Sequence, residues 1–360
     1  MQSLISSRRR FLQITSGLGA TMALPAWAAY PERPVRIVVP FAAGAGTDAM
    51  GRLLAQKFGE LLGGQFIVEN RTGASGAIGT QHVAQAAADG HTLLLVAAPF
   101  TTVAAVLAQP TYDPVRDFAP VGMVAQGPLL WACNKDLPVN TLRELIDLAR
   151  AQPGKLNYAS AGAGGINHLV LEMLKARAGV DIAHIPYRGI APATLDMISG
   201  QVQVLTGTIP ALAPFVRDGR VKALAVTTSK RTATLPDVPS MAESGLDGFD
   251  VTNYFGLVGP KGMPTPIVET LNAAVRKIVE MSDVQARFKT DALEPATGPA
   301  TALGQFVSRD FQSWRTLVAA QNLKLDKVRR AESSRLEFWS ALPDQPVQPA
   351  PAVPSIRQAR

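Results

Sequence analysis

Twice along this chain a short β-branched run passes through a glycine-rich loop into a helix, and that repeated unit constrains the fold more than any other feature. Val35-Arg36-Ile37-Val38-Val39 reads as a strand. The loop Phe41-Ala42-Ala43-Gly44-Ala45-Gly46-Thr47-Asp48 follows it. From Asp48 to Leu62, Met50, Leu53, Leu54, Phe58, Leu61 and Leu62 recur at helical spacing until Gly63-Gly64 stops the helix. The second unit is a strand over 156–161, the loop Ser160-Ala161-Gly162-Ala163-Gly164-Gly165-Ile166-Asn167, and a helix over 167–178. Strands at 66–69, 92–96, 183–186 and 202–205 and helices at 78–88 and 192–198 continue the alternation. It predicts an α/β protein with parallel sheets and helices on both faces.

Each loop can bind an anion. Glycine allows the tight turn, Thr47 or Asp48 can cap the first helix, and the unpaired N–H groups of a helix start face outward with the dipole behind them. Neither loop holds Lys or Arg, so an anion there would rely on N–H groups, hydroxyls and ordered water. Two such helix starts, far apart in sequence, suggest half-sites facing each other across a cleft. A rival reading is available. Gly44-x-Gly46-x-x-Ala49 matches the dinucleotide fingerprint, with Glu69 about 20 residues on as the ribose partner. That reading makes the chain an exported NAD(P)-dependent oxidoreductase. Against it, Pro40, Phe41, Ala42 and Ala43 separate the strand from Gly44, whereas the fingerprint sets its first glycine at the strand end. A glycine-containing turn without any ligand is the third possibility.

At 360 residues, 47% hydrophobic and 18% charged, the chain is long enough for two domains and too apolar to be disordered. Its single cysteine, Cys133, excludes an intramolecular disulfide and follows the apolar run Leu129-Leu130-Trp131-Ala132, which reads as core. The net charge of +7 is concentrated at the ends, in Arg8-Arg9-Arg10 and beyond residue 326, so no nucleic-acid partner is expected. Arg8-Arg9-Arg10-Phe11-Leu12, an uncharged stretch over 14–23 and Ala26-Trp27-Ala28 form an export signal over 1–28. The paired arginines resemble the twin-arginine type, with an ordinary secretory signal as the alternative. Cleavage near Ala28 would place the mature protein in the periplasm. Five prolines between Pro343 and Pro354 mark 327–360 as a flexible tail.

Catalytic groups do not assemble. His82, His91, His168 and His184 match no metal-ligand spacing, and Gly73-Ala74-Ser75-Gly76-Ala77 misses the nucleophile elbow by its last glycine. His168, at the start of the second helix, reads as a surface or capping histidine, with ligand contact as the alternative. The pairs Asp181/His184 and Asp113/Asp117 read as solvated loop charges. No enzyme activity, cofactor or metal is expected.

Tyr30-Pro31, Val38-Val39-Pro40-Phe41, Gly44-x-Gly46-Thr47-Asp48 and Val68-Glu69-Asn70-Arg71 with Gly73 and Gly76 form an ordered set. Asp89-Gly90-His91-Thr92-Leu93, Tyr112-Asp113-Pro114, Asp117-Phe118-Ala119-Pro120 and Pro153-Gly154-Lys155-Leu156-Asn157-Tyr158-Ala159-Ser160 extend it. Ile185-Pro186-Tyr187-Arg188-Gly189, Leu235-Pro236-Asp237-Val238-Pro239 and Glu243-Ser244-Gly245 complete it. From Tyr30 to about Lys324 the chain thereby resembles the periplasmic solute receptors of tripartite tricarboxylate transporters, the Bug receptors.

The resemblance implies a two-domain periplasmic binding protein of the Venus-flytrap type (type II-like) with two interdomain crossovers. Domain 1 would comprise 30–129 and 255–326, and domain 2 130–254. It also implies a small mono- or dicarboxylic acid as ligand, with the membrane permease subunits of such a transporter, or a sensor protein, as partner. Carried onto this chain, the ligand-binding residues are Phe41, Ala42, Ala45, Gly46, Thr47 and Asp48 of the first loop, and Ser160, Ala161, Gly162, Gly164 and Asn167 of the second. Ala98 and Pro99 after the third strand, and a turn at Thr206, Gly207 and Thr208, complete the pocket. Two departures bear on the ligand. Thr206-Gly207-Thr208 lacks the carboxylate the family often carries there, which favours a carboxylic acid over an amino acid. Phe100 stands where small hydroxyl residues are usual, which favours a more apolar or aromatic acid.

Overall fold

A computed structural model describes residues 30–320, apart from 45 and 188, together with residue 323. The expected signal over 1–28 and tail over 327–360 lie outside the described residues.

The first sheet is built around β1 (Val35–Val39), flanked in parallel by β2 (Phe66–Asn70) and β3 (Thr92–Ala97). β9 (Thr252–Pro260) pairs antiparallel with β3 and with β4 (Phe118–Asn134). The second sheet repeats the plan. β5 (Asn157–Ser160) lies in parallel between β6 (Ala183–Pro186) and β7 (Val204–Thr208), and β4 pairs antiparallel with β7 and with β8 (Val221–Val226). Both sheets are therefore mixed, not parallel as the alternation predicts, because β9 runs against its neighbours in the first and β4 against its neighbours in the second.

β4 joins the two bodies. Its residues 118–128 pair with β9 and its residues 129–134 with β7 and β8, so one 17-residue strand serves both sheets. Trp131, wholly buried on this strand, and Cys133 beside it belong to the core. Burial pushes the Cys133 thiol up to about 11, which leaves it inert at neutral pH.

Helices α1 (Gly46–Leu62), α2 (Ala77–Ala84) and α3 (Pro99–Val106) follow β1, β2 and β3 in turn. α4 (Leu142–Ala151) precedes β5, and α5 (Ile166–Ala178), α6 (Ile190–Ile198) and α7 (Ile209–Arg217) follow β5, β6 and β7. α8 (Thr265–Glu280), α9 (Ser282–Thr290) and α10 (Ala300–Ala320) return to the first body, where α10 packs on α3 and β4. In each sheet the chain leaves a central parallel strand with neighbours on both sides. That is the switch point where open α/β sheets take ligands, beyond the carboxyl ends of the strands.

Candidate functional site

The first loop leaves β1 at Val39. Gly44 has φ +83°, a left-handed conformation that glycine alone adopts freely. Its N–H donates to Asp48 Oδ2 at 2.9 Å. Asp48 Oδ1 accepts from Asn70 Nδ2 at 2.9 Å, and the same amide donates to the Phe41 carbonyl at 3.0 Å. Arg52 Nε donates to Asp48 Oδ2 at 2.9 Å. Burial alone would raise the Asp48 carboxyl, but the bonds from Arg52, Gly44 and Asn70 hold it below its ordinary value. Asp48 is thus turned back into its own loop and is buried.

The second loop leaves β5 at Ser160. Ser160 Oγ lies 2.7 Å from His184 Nε2 and accepts the Gly162 N–H at 3.2 Å. Gly164, at φ +80°, donates its N–H to His168 Nδ1 at 3.0 Å. The rings of His168 and His184 stack with centroids 4.2 Å apart, and Tyr158 stacks on His184 at 4.7 Å. Tyr158 donates to Glu172 at 2.7 Å, and Glu172 pairs with Lys175 at 2.8 Å. Burial pushes His168 down to about 4 and also lowers His184, which is further disfavoured as a cation by His168 and Lys175. His168 is therefore a buried group rather than a surface one, and His184 a strand residue bonded to Ser160 rather than a loop charge. Asp113 and Asp117 serve their own turn: Asp113 accepts the Val115 N–H at 2.8 Å, and its N–H donates to Asp117 at 2.7 Å.

A cleft of about 620 Å³ lies between the loops, within the usual range for a small-molecule site. Phe41, Ala42, Gly46 and Thr47 line it from the first body, and Ala161, Gly162, Asn167 and Thr208 from the second. Pro99, at the start of α3, adds to the wall. None of the described lining residues carries a charge. Among the described residues no group of three or more His, Cys, Asp or Glu side chains is placed to hold a metal ion.

Of the residues expected at the site, Asp48, Ala98, Ser160, Gly164, Thr206 and Gly207 do not line the cleft. Asp48 and Ser160 are consumed by their own loops, and Ala98 donates its N–H to Asn253 Oδ1 at 3.3 Å from a buried position. The Gly164 N–H is held from behind by His168. Thr206 and Gly207 belong to β7 rather than to a turn. The Thr206 carbonyl accepts from Asn167 Nδ2 at 2.6 Å, and a Cβ on Gly207 would lie 2.9 Å from Leu212, where α7 packs closely. Ala45 lies outside the described residues. Phe100 faces the core instead of the ligand, stacked on Tyr112 at 5.7 Å and edge-on to Phe118 at 5.1 Å. Glu69 is paired with Arg71 and Arg36 and does not reach the cleft, so the dinucleotide fingerprint loses its ribose partner.

The cleft also holds residues that the sequence analysis does not assign to it. These are Pro40, the turn 72–76, Ala97, Leu129, Gly165, Ile166, Tyr187, Gly189, Ile190, Asn253 and Phe255. Gly73, Gly76, Tyr187 and Gly189 stand in the family-like segments, so a signal was present for them. Leu129, Ile190, Asn253 and Phe255 carry no motif.

The sequence profile of the tripartite tricarboxylate transporter family receptor matches residues 50–323. The chain belongs to this family. Among solved structures the receptor is similar to the periplasmic binding protein BugD, with 37% identity and a TM-score of 0.76 over 82% of this chain and 99% of that one. It is also similar to Rpa4515 of R. palustris, solved with adipate, at 34% identity and a TM-score of 0.77 over 81% and 98% of the two chains. MatC of Rhodopseudomonas palustris, solved with bound malate, matches at 34% identity and a TM-score of 0.74 over 80% and 100%. The receptor's mixed sheets, joined through β4, are those of a two-domain Venus-flytrap solute-binding protein.

Proposed function

We propose that the receptor captures a small mono- or dicarboxylic acid in the 620 Å³ cleft and delivers it to the membrane permease of a tripartite transporter. One observation carries this reading: two glycine-rich loops, each opening a helix, face one cleft whose described lining residues are uncharged. Backbone N–H groups at the starts of α1 and α5, with the hydroxyls of Thr47 and Thr208, supply the donors among the described lining residues. The adipate and malate held by two similar receptors support an acid ligand.

Residues 30–129 with 255–326 and residues 130–254 are the two bodies that close. An open cleft fills with water, and the ligand selects the closed form because both helix starts contact one anion. Binding, not turnover, is the whole of the chemistry. The signal over 1–28, of twin-arginine type, delivers the chain to the periplasm.

A thermal-shift screen of residues 29–360 tests this, with mono-, di- and tricarboxylates, aromatic acids, amino acids and NAD(P). A ligand at about 100 times its Kd stabilises by about 2.7 kcal/mol, a rise of several degrees in Tm. The control is Gly46→Asp. A Cβ at Gly46 meets open space, so the fold tolerates the change while a carboxylate enters the cleft beside the anion site. Stabilisation by a carboxylate in the parent and its loss in Gly46→Asp is the expected result. Stabilisation by NAD(P) alone, or an unchanged acid affinity in Gly46→Asp, would overturn the reading.

A further inference from the structure

The two loops are braced by the same construction. In each, a left-handed glycine, Gly44 at φ +83° and Gly164 at φ +80°, donates its N–H to the side chain four residues on. The acceptors are Asp48 at 2.9 Å and His168 at 3.0 Å. Asp48 is the third residue of α1 and His168 the third residue of α5. Both are buried, with 3% and 6% of their surface exposed, and neither lines the cleft. The bond closes a ring over the last loop residues and the first helical amides, so it sets the direction in which those amides point.

The chemistry of the two braces differs. Asp48 is a carboxylate bonded to Arg52 and Asn70. His168 is an imidazole whose Nδ1 accepts only while it carries no proton, which places the ring proton on Nε2. His184, stacked on it at 4.2 Å, holds Ser160 and through it the Gly162 N–H, so the ring pair supports both glycine amides from behind. The groups facing the His168 ring are Glu172 and Lys175 of α5, Tyr158 of β5 and His184 of β6.

We propose that His168 is the positioning residue of the second loop, its Nδ1 lone pair fixing the Gly164 amide so that the start of α5 is presented to the ligand as Asp48 presents the start of α1. This rests on the reading of the cleft as an acid-binding site. The second helix start is thereby braced by a neutral acceptor rather than a carboxylate, and the nearby Glu172 carboxylate is paired with Lys175. In acid, a protonated Nδ1 would point a donor at the Gly164 N–H and release the loop, while the Asp48 brace on the first loop would not meet such a donor.

Two variants test the assignment. His168→Phe keeps a ring to stack on His184 and removes the acceptor, whereas His168→Asn supplies an oxygen acceptor near the position of Nδ1. Hydrogen exchange at the Gly164 amide is read by NMR on the ligand-free protein across acid and neutral pH, and adipate titrations are run alongside. The expected result is an amide protected at neutral pH in the parent, roughly tenfold less protected in His168→Phe, and restored to within about twofold in His168→Asn. Parent protection, corrected for intrinsic exchange, should fall in acid while that at Gly44 persists. Equal protection in the parent and His168→Phe, or failure of His168→Asn to restore it, overturns the assignment. Adipate separates the two readings. If Gly164 responds as expected but neither adipate nor any other acid binds the parent, the brace stands and the acid-receptor reading fails.

Discussion

The Ser75 hydroxyl donates to the Ala163 carbonyl at 3.0 Å, tying the turn after β2 to the loop after β5 across the cleft. Ser75 and Ala74 both hold left-handed φ, +53° and +47°, which costs a non-glycine residue of order 1 kcal/mol each. A strained pair that carries a contact between the two bodies has the properties of a latch on the closed form. Ser75→Ala keeps the backbone and removes a hydrogen bond of about 0.5–1.5 kcal/mol. Ligand release should then be about two- to tenfold faster, with little change in the Tm of the free protein. Ser75→Gly removes the strain as well, so it should release equally fast yet melt higher. Stopped-flow release rates indistinguishable from the parent in both variants would refute the latch.

Gly79 lies within α2, where alanine would ordinarily add about 1 kcal/mol of helix propensity. Here a Cβ would sit 2.6 Å from the Arg71 carbonyl oxygen and 3.0 Å from Pro40 Cβ, neither of them the free end of a flexible side chain. Overpacking of that kind costs about 1–3 kcal/mol. Gly79→Ala should therefore lower the urea midpoint, and, because Pro40 lines the cleft, weaken ligand binding too. A neutral or stabilised variant would show that Pro40 and Arg71 can yield at no cost.

The parallel cores of both sheets were legible in the sequence because β1, β2 and β3 are short apolar or β-branched runs, and because β5 and β6 fall in the same alternation with helices. β4 and β9 were not. β4 carries Pro120, Gly122, Gly127 and Pro128, residues that normally mark a strand's end, and its register against β9 shifts between Pro120 and Gly122 and again between Met123 and Ala125. A strand buried in two sheets also loses the alternation that identifies a half-exposed one. At the site, the backbone of both loops was legible from glycine and helix-start patterns. Which side chains face the ligand was not, because Asp48 and His168 turn inward to brace the loops, a choice made by tertiary neighbours such as Asn70 and His184. Leu129, Asn253 and Phe255 reach the cleft only through the pairing of β4 with β9 and β7, which local sequence does not encode.

Asp310, on α10, accepts from Thr101 Oγ1 at 2.5 Å and from Trp314 Nε1 at 3.0 Å. Burial pushes its carboxyl up to about 6 from an ordinary 3.8, against the pull of both bonds. The folded state thus holds a proton that the unfolded chain has already released. Its contribution is present below about pH 3.8 and is lost as pH rises through about 6. Asp310→Asn abolishes that titration and should stabilise the protein at pH above 7 by at most roughly 3 kcal/mol, less whatever the swap of one acceptor for a donor costs. Chemical denaturation across this range tests it, and a variant less stable than the parent at every pH would show that the ionised carboxylate is favoured on α10.

His168 acts with the opposite sign. Its folded pKa is depressed to about 4 from 6.5, so between those values the unfolded chain binds the proton that the buried ring refuses. Stability due to the neutral ring is complete above about pH 6.5 and falls as pH drops towards 4, by a total of roughly 3 kcal/mol. The lowered His184 adds to the same trend. Because the Asp310 window overlaps those of both histidines, its slope opposes theirs but offsets only about one of the two, so the parent should still lose stability between about pH 6 and 4. Removing either group changes that balance. Asp310→Asn should lose stability more steeply than the parent on acidification, and His168→Phe, although weaker overall for its unsatisfied Gly164 N–H, should lose less than the parent as pH falls. Parallel pH profiles for the parent and His168→Phe would mean that the imidazole titrates normally and that its bond to Gly164 exerts no hold on the proton.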